Sequence, residues 1–236
     1  MADPGRRFEK CQAYIVSHAK RAEAEKRQPV RPAITISRQA GAGAVTLGDS
    51  LAEHLNKSIS RTDVPWTVFD KNLVEQILKD HDLPRRLEQF MPEDKPGEVG
   101  DTIAEILGMH PPDWKLIAHT QATIYRLARM GHCILVGRGA GIITRQMPSV
   151  LHLRLIGSIE KRIDRCMEYY KMSEAEARDY IKKTDRGRRR YLLAYYDREI
   201  DDPLNYDLVI NVDRFTTGAL VELAADLIAK RERWLV

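Results

Sequence analysis

Hydrophobic residues fall into short apolar runs that alternate with longer amphipathic stretches along most of the chain. Five of these runs are rich in aliphatic and β-branched side chains, which is typical of strands. They are AITIS (33–37), WTVF (66–69), CILV (133–136), VLHLRLI (150–156) and DLVINV (207–212). Between several of them, apolar residues recur at spacings of three and four, as they do in amphipathic helices. We therefore predict an α/β protein.

The predicted helices are long enough to connect parallel strands. Leu47, Leu51 and Leu55 recur at four-residue intervals soon after the first strand. Ser173 is followed three residues later by Glu176, which predicts a capping box at the start of a further helix. The other predicted helices are Asn72–Lys79, about Thr102–Leu107, Trp114–Met130, Ile159–Tyr170 and a C-terminal stretch through Leu220 and Ile228. This alternation predicts three layers, a five-stranded parallel sheet with helices on both faces.

The first 32 residues differ in character from the rest of the chain. Phe8–Lys26 is predicted to be a mostly polar helix that ends before Pro29 and Pro32, with few apolar positions. We therefore expect residues 1–32 to form a helical surface arm, or a contact that pairs two copies as a homodimer. The main domain is expected over residues 33–236.

Composition excludes several classes of protein. Of 236 residues, 43% are hydrophobic and 31% charged, so a folded core is expected and disorder is not. No apolar stretch has the ~18 residues needed to cross a membrane, and the three cysteines lack metal-ligand spacing. We therefore expect a cytoplasmic protein without membrane contact. A net charge of +4 does not by itself indicate nucleic-acid binding.

A glycine-rich turn lies between the first strand and the helix that follows it. Backbone N–H groups in such a turn, together with the helix N-terminus, can hold a phosphate group, although close packing alone also explains the glycines. Ala44 stands where the phosphate-loop pattern has lysine, and Thr46 is the candidate hydroxyl ligand for Mg²⁺. Arg38 is either a substitute for the lysine or an ordinary surface arginine. The candidate phosphate-binding residues are Gly41, Ala42, Gly43, Ala44, Val45 and Thr46.

A second glycine turn follows the third strand. Gly137, Arg138 and Gly139 place a charged residue directly after an apolar run. The planar guanidinium group suits phosphate or carboxylate. An anion contact by Arg138 and a purely structural salt bridge both fit this pattern.

Two further polar features are candidates for the same site. Asp70 follows the second strand and is expected either to contact Mg²⁺ or an acceptor, or to cap the next helix. The segment KKTDRGRRRY (182–191) directly follows a predicted helix and is strongly basic. It fits a solvated surface, a mobile segment that covers phosphates, or an RNA contact assisted by nearby tyrosines.

Five segments together resemble the cytidylate kinase-like family of P-loop proteins, in the same order along the chain. They are ITISRQAGAG, FDKNLVEQI, ILVGRGAGII, IKKTDRGRRRY and NYDLVINV, within about residues 33–229. The resemblance implies a nucleoside monophosphate kinase fold with an acceptor-binding helical region over about residues 71–130. It also implies an arginine-bearing lid over about residues 171–200, and the cofactors ATP and Mg²⁺.

The resemblance also assigns roles to individual residues. Arg138 would hold the acceptor phosphate, with Gly137, Gly139 and Asp70 around it. Asp185, Arg188 and Arg189 would act from the lid near the transferred phosphoryl group, with Arg38 on the catalytic side. The sequence departs from the family pattern at Ala44, Val136 and Gly139, which replace a lysine and two acids.

The favoured function is an ATP-dependent phosphotransferase acting on a cytidylate-like monophosphate or another small phosphorylated acceptor. The alternatives are a non-catalytic nucleotide sensor and, third, an RNA-binding module built on the basic lid.

Overall fold

A computed structural model describes residues 9–11, 13–15, 31–58, 64–70, 72 and 113–230. The predicted helix over Thr102–Leu107, and Asn72–Lys79 except for its first residue, lie outside this set. Most of the predicted acceptor-binding region over 71–130 lies outside it as well. Among the described residues, no helix combines the length and apolar character needed to cross a membrane.

The apolar runs form one parallel sheet, which confirms the predicted architecture. Strand order across the sheet is β2-β3-β1-β4-β5, and every neighbouring pair is parallel. The strands are β1 (Ala33–Arg38), β2 (Thr67–Phe69), β3 (Cys133–Val136), β4 (Val150–Ile156) and β5 (Leu208–Asn211). Their bounds follow the predicted runs closely because a sheet covered on both faces selects continuous apolar sequence.

Helices cover both faces of the sheet. Alternation along β3 shows the arrangement: Ile134 packs in a core cluster with Leu51 of the first helix, whereas Leu135 packs in a second cluster with Leu127 of the next one. The helices are α1 (Ala44–Ser58), α2 (Asp113–Met130), α3 (Ala140–Ile143), α4 (Ile159–Tyr170), α5 (Glu174–Tyr196) and α6 (Thr217–Lys230). The four-residue helix α3 was not predicted.

The expectation of a surface arm at the N-terminus is wrong for the part that the structure describes. Residues 9–11 and 13–15 are helical, and Cys11, Tyr14 and Ile15 are fully buried in the second core cluster. The Tyr14 hydroxyl donates to the backbone oxygen of Gly131, and its ring meets Phe69 edge to face at 5.3 Å between centroids. A thin apolar stripe therefore suffices to pack this helix into the core on one face of the sheet. Pairing of two copies through the arm stays a prediction.

The basic segment over 182–191 belongs to α5, so its placement directly after a helix is wrong. Helix α5 runs unbroken for 23 residues through Gly187. The predicted capping box is confirmed: the Ser173 side chain accepts from the Glu176 N–H, and Glu176 accepts from the Ser173 N–H. Lys171, which ends α4, and Asp197, which ends α5, are both in the left-handed conformation. The predicted lid is thus a single helix.

Candidate functional site

A cleft of about 590 Å³ lies at the carboxyl edge of the sheet, where α/β proteins bind their ligands. The ends of β1, β2 and β3 form one side of it, and α5 forms the other. Its polar and glycine lining includes Ser37, Arg38, Asp70, Asn72, Gly137, Arg138, Gly139, Thr184, Gly187 and Arg188, and its tyrosines are Tyr170, Tyr180, Tyr191 and Tyr206.

Arg38 extends from the end of β1 toward the end of β3. A Cβ added at Gly137 would fall on the Arg38 guanidinium nitrogen Nη1, so the absence of a side chain at Gly137 makes room for this group. Burial, assisted by the positive charge of Arg188, lowers the pKa of Arg38 to about 9, and the charge of Asp70 opposes this shift. Within the described part of the chain, the Arg38 side chain has neither a hydrogen bond nor an ion pair within 4 Å. The cleft therefore contains a partly buried positive charge.

Arg138 lies on the same side of the cleft as Arg38, in the turn between β3 and α3. Its backbone has φ of 54°, in the left-handed region that non-glycine residues seldom occupy. Its guanidinium carbon lies 6.0 Å from the ring centroid of Tyr191 on α5. Arg138 lines the cleft in this strained conformation.

Arg188 reaches the cleft from α5. Its Nη1 donates to the backbone oxygen of Arg38 at 3.1 Å, which joins the helix to the end of β1. Burial lowers the pKa of Arg188, and the Asp185 carboxylate opposes this effect from 3.7 Å. The structure thus brings together three predicted site arginines, Arg38, Arg138 and Arg188. Asp70 is the single carboxylate among the described lining residues.

Asp185 is occupied elsewhere. Its Oδ1 accepts from the Ala40 N–H at 2.7 Å, and its Oδ2 accepts from Arg162 Nη1 at 2.6 Å. Arg162 also donates to the Ala40 carbonyl at 3.2 Å. Asp185 is absent from the cleft lining. These bonds fasten α4 and α5 to the start of the glycine loop. Arg162 was not predicted as a site residue, because nothing in the sequence distinguishes it from the other cations of an amphipathic helix.

Arg189 also lies outside the cleft lining. Its Nη2 donates to Asp201 at 2.8 Å, and the other Asp201 oxygen accepts from Arg154 Nη2 at 2.5 Å. Arg154 in turn donates to Ser37 Oγ at 2.9 Å from the middle of the sheet. We call the ion-paired group Arg189–Asp201–Arg154 the lid clamp. Arg154 was missed, although a charged residue within the apolar run VLHLRLI was a signal that could have revealed it.

The glycine loop combines close packing with exposed amides. Gly41 and Gly43 have φ of 77° and 74°. A Cβ at Gly41 would collide with the Arg162 backbone carbonyl, whereas a Cβ at Gly43 would meet nothing within 4 Å. Packing therefore explains Gly41. In the described residues, the N–H groups of Gly41, Gly43, Ala44, Val45 and Thr46 lack an acceptor, as expected at a helix N-terminus open to a ligand.

The predicted Mg²⁺ ligand Thr46 can be compared with the other residues of the glycine loop by whether each one lines the cleft. Val45 lines the cleft, but Gly41, Ala42, Gly43, Ala44 and Thr46 do not. Thr46 is exposed and lies one residue beyond the hydroxyl position of the phosphate-loop pattern, which Val45 takes when Ala44 stands at the lysine. No cluster of three metal-ligating side chains occurs among the described residues. Of the two residues predicted to contact Mg²⁺, Asp70 lines the cleft and Thr46 does not.

The sheet order, the glycine loop after β1 and the arginine-lined cleft define an α/β protein with a basic cleft at the carboxyl edge of its parallel sheet. The sequence pattern of the Cytidylate kinase-like family matches residues 33–214. The chain belongs to this family.

Similarity to individual proteins is more distant. A protein described as uncharacterized from Eubacterium ventriosum has a solved structure that is 21% identical, with a TM-score of 0.65 over 85% of this chain and 99% of that one. A shikimate kinase from Bacteroides thetaiotaomicron is 15% identical, with a TM-score of 0.47 over 84% of this chain and 98% of that one. A uronate isomerase from Corynebacterium glutamicum is 30% identical over 98 residues, or 42% of this chain. The match spans about a fifth (19%) of that enzyme's length.

Proposed function

We propose that the protein is an ATP-dependent phosphotransferase that transfers the γ-phosphoryl group of ATP to a nucleoside monophosphate of the CMP or dCMP type, or to a similar small phosphorylated acceptor. The observation that carries the proposal is the convergence of Arg38, Arg138 and Arg188 on one cleft beside the glycine loop. Phosphoryl transfer depends mainly on positioning and on neutralising spread negative charge, which is what such a cleft supplies.

The residues divide naturally between the two substrates. The unbonded amides of the glycine loop receive the donor phosphates, Arg138 holds the acceptor phosphate, and Arg188 faces the group in transit. The bond between the γ-phosphorus and the β–γ bridging oxygen breaks, and a new bond forms to an acceptor phosphate oxygen. That oxygen is already ionised, so ADP and the diphosphate product form without a proton transfer from the protein.

Magnesium fits this cleft in part. Mg²⁺ usually binds one or two protein carboxylates together with substrate phosphates, and Asp70 supplies one. Asp70 Oδ1 accepts from the Asn72 N–H at 2.9 Å, which orients the carboxylate. When bound, the ion would neutralise phosphate charge.

The proposal is tested by measuring ADP release with ATP, Mg²⁺ and a panel of CMP, dCMP, UMP, AMP and GMP. We expect turnover above the ATP-only background with CMP or dCMP. Arg178→Gln is a suitable control variant, since Arg178 forms an exposed pair with Glu174 far along α5 from the cleft arginines. ATP binding without turnover on any acceptor would contradict the proposal.

That outcome would favour the second candidate, a non-catalytic nucleotide sensor. Two observations support the sensor. Ala44 is 5% exposed within the core and adds no charge, and Asp185 is engaged with the glycine loop. The RNA-binding alternative has less support, because Arg189 of the basic segment is paired with Asp201.

A further inference from the structure

The missing phosphate-loop lysine raises the question of which group supplies its charge. That lysine ordinarily reaches the β- and γ-phosphates of the donor. Ala44 occupies its place and is buried in the core cluster that contains Leu47 and Leu51. The charge must come from a different element if the donor is to be neutralised.

Arg38 is in a suitable position. It is the last residue of β1, immediately before the glycine loop, and its side chain crosses toward β3 above Gly137. Ligands in α/β sheets bind in this crevice beyond the strand ends. Arg38 lines the same cleft as Val45, whose N–H belongs to the open first turn of α1.

The surroundings of Arg38 leave its charge uncompensated. Asp70 acts on Arg38 electrostatically, yet no ion pair within 4 Å forms between them, and Arg188 adds repulsion. Removing a charge from water is costly unless a partner is supplied. No described residue forms an ion pair with Arg38, and an anionic ligand would supply that partner.

Arg188 links this charge to the lid. Its hydrogen bond to the Arg38 carbonyl fixes the backbone from which the Arg38 side chain extends. Both guanidinium groups can then face one polyphosphate, which would offset their mutual repulsion.

We propose that Arg38 takes the place of the missing lysine and contacts the terminal phosphoryl group of the donor. This inference rests on the proposed function, and it assigns to Arg38 a role that differs from that of Arg138 on the acceptor. The two roles separate by ligand: tripolyphosphate imitates the donor, and ribose 5-phosphate imitates the acceptor.

Calorimetric binding of tripolyphosphate tests the assignment without turnover. Arg38→Gln should weaken tripolyphosphate binding about 10- to 100-fold, since a charge-assisted contact is lost. Arg38→Lys should retain most of the affinity, and the matched charge change Arg178→Gln should leave it within about twofold, as an exposed charge outside the cleft is screened. Arg138→Gln should weaken ribose 5-phosphate more than tripolyphosphate. An Arg38→Gln affinity for tripolyphosphate equal to that of Arg178→Gln would overturn the assignment.

A second measurement uses the unaltered protein, so it holds even if Arg38→Gln does not fold. Phenylglyoxal modifies accessible guanidinium groups, and mass spectrometry can locate the modified residue. Arg38 should be modified in the free protein and protected by tripolyphosphate, whereas Arg178 should be modified equally in both. Modification of Arg38 that ignores tripolyphosphate, or no modification at all, would refute the proposal.

These results are separable from the test of catalysis. Turnover that is unaffected in Arg38→Gln would reject the role of Arg38 and keep the phosphotransferase. Protection of Arg38 in a protein that phosphorylates no acceptor would keep the role of Arg38 and reject the phosphotransferase.

Discussion

Replacing Arg138 with glycine separates the contribution of this residue to stability from its contribution to acceptor binding. The left-handed backbone, with φ of 54°, costs about 1–2 kcal/mol for a residue with a side chain. Glycine removes that cost, but its greater conformational freedom in the unfolded chain lowers the free energy of unfolding by roughly 0.5–1 kcal/mol. The lost contact with Tyr191 removes about 0.5–1 kcal/mol more. These amounts nearly cancel, so the free energy of unfolding of Arg138→Gly should stay within about 1 kcal/mol of the parent.

Acceptor use should change far more. A hydrogen bond to a charged group is worth about 1.5–3 kcal/mol, which corresponds to a rise of about 10- to 150-fold in the acceptor KM. The KM for ATP should change less than about threefold, because the proposed function assigns Arg138 to the acceptor phosphate.

Arg138→Ala is the matched comparison. Alanine also removes the guanidinium group but keeps the backbone strain, so it should be less stable than Arg138→Gly by about 1 kcal/mol. That difference corresponds to about 2–4 °C in Tm for a chain of this size. Steady-state ADP release with each substrate varied in turn, together with urea unfolding, gives all the required quantities. Equal rises in both KM values, or a glycine variant several kcal/mol less stable than the parent, would refute the reasoning.

Three more predictions concern the glycine loop, the N-terminal helix and the lid clamp. Asp185→Asn leaves the buried Arg162 without its carboxylate and should lower the free energy of unfolding by about 2–3 kcal/mol in urea. Asp179→Asn, which breaks an exposed pair on the same helix, should change it by less than about 0.5 kcal/mol, and equal losses would contradict this account. Ile15→Ala should cost about 2–5 kcal/mol because Ile15 is fully buried, whereas the exposed Glu9→Ala should not alter the urea midpoint. Burial tends to raise the pKa of Asp201, but its bonds to Arg189 and Arg154 outweigh this and lower it. The stability that the clamp adds is therefore complete above the unfolded pKa of about 3.9 and is lost as the pH falls through the folded value. The difference in unfolding free energy between the parent and Asp201→Asn should shrink from pH 7 toward pH 3, and a constant difference would be the contrary result.

The strands of the sheet could be predicted from the sequence because each one is encoded by a short, continuous apolar run. The runs CILV and VLHLRLI coincide with β3 and β4 at both ends. A strand buried on two faces needs continuous apolar sequence. The glycine turns after β1 and β3 were likewise visible, since positive φ strongly favours glycine there.

The hydrogen-bond and ion-pair partners of the site residues could not be predicted from the sequence, because they lie in segments far apart along the chain. Ser37 and Arg154 meet across 117 residues, and Asp185 reaches Ala40 across 145. Glycine and dense charge in 182–191 suggested a segment outside a helix. A glycine inside a helix costs only about 1 kcal/mol, and the capped, packed α5 tolerates Gly187. Neither propensity nor spacing reveals such tertiary compensation.

Helix α5 carries Arg188 and Tyr191, which both line the cleft, on one continuous element. A continuous 23-residue helix does not bend locally at small cost, because bending breaks its hydrogen-bond ladder. Because α5 is one rod, any displacement of the helix moves Arg188 and Tyr191 together relative to the strand ends. The attachments of α5 to Ala40 and Asp201 resist such a displacement. We expect amide hydrogen exchange at Ala40 to report how often the helix detaches from the glycine loop.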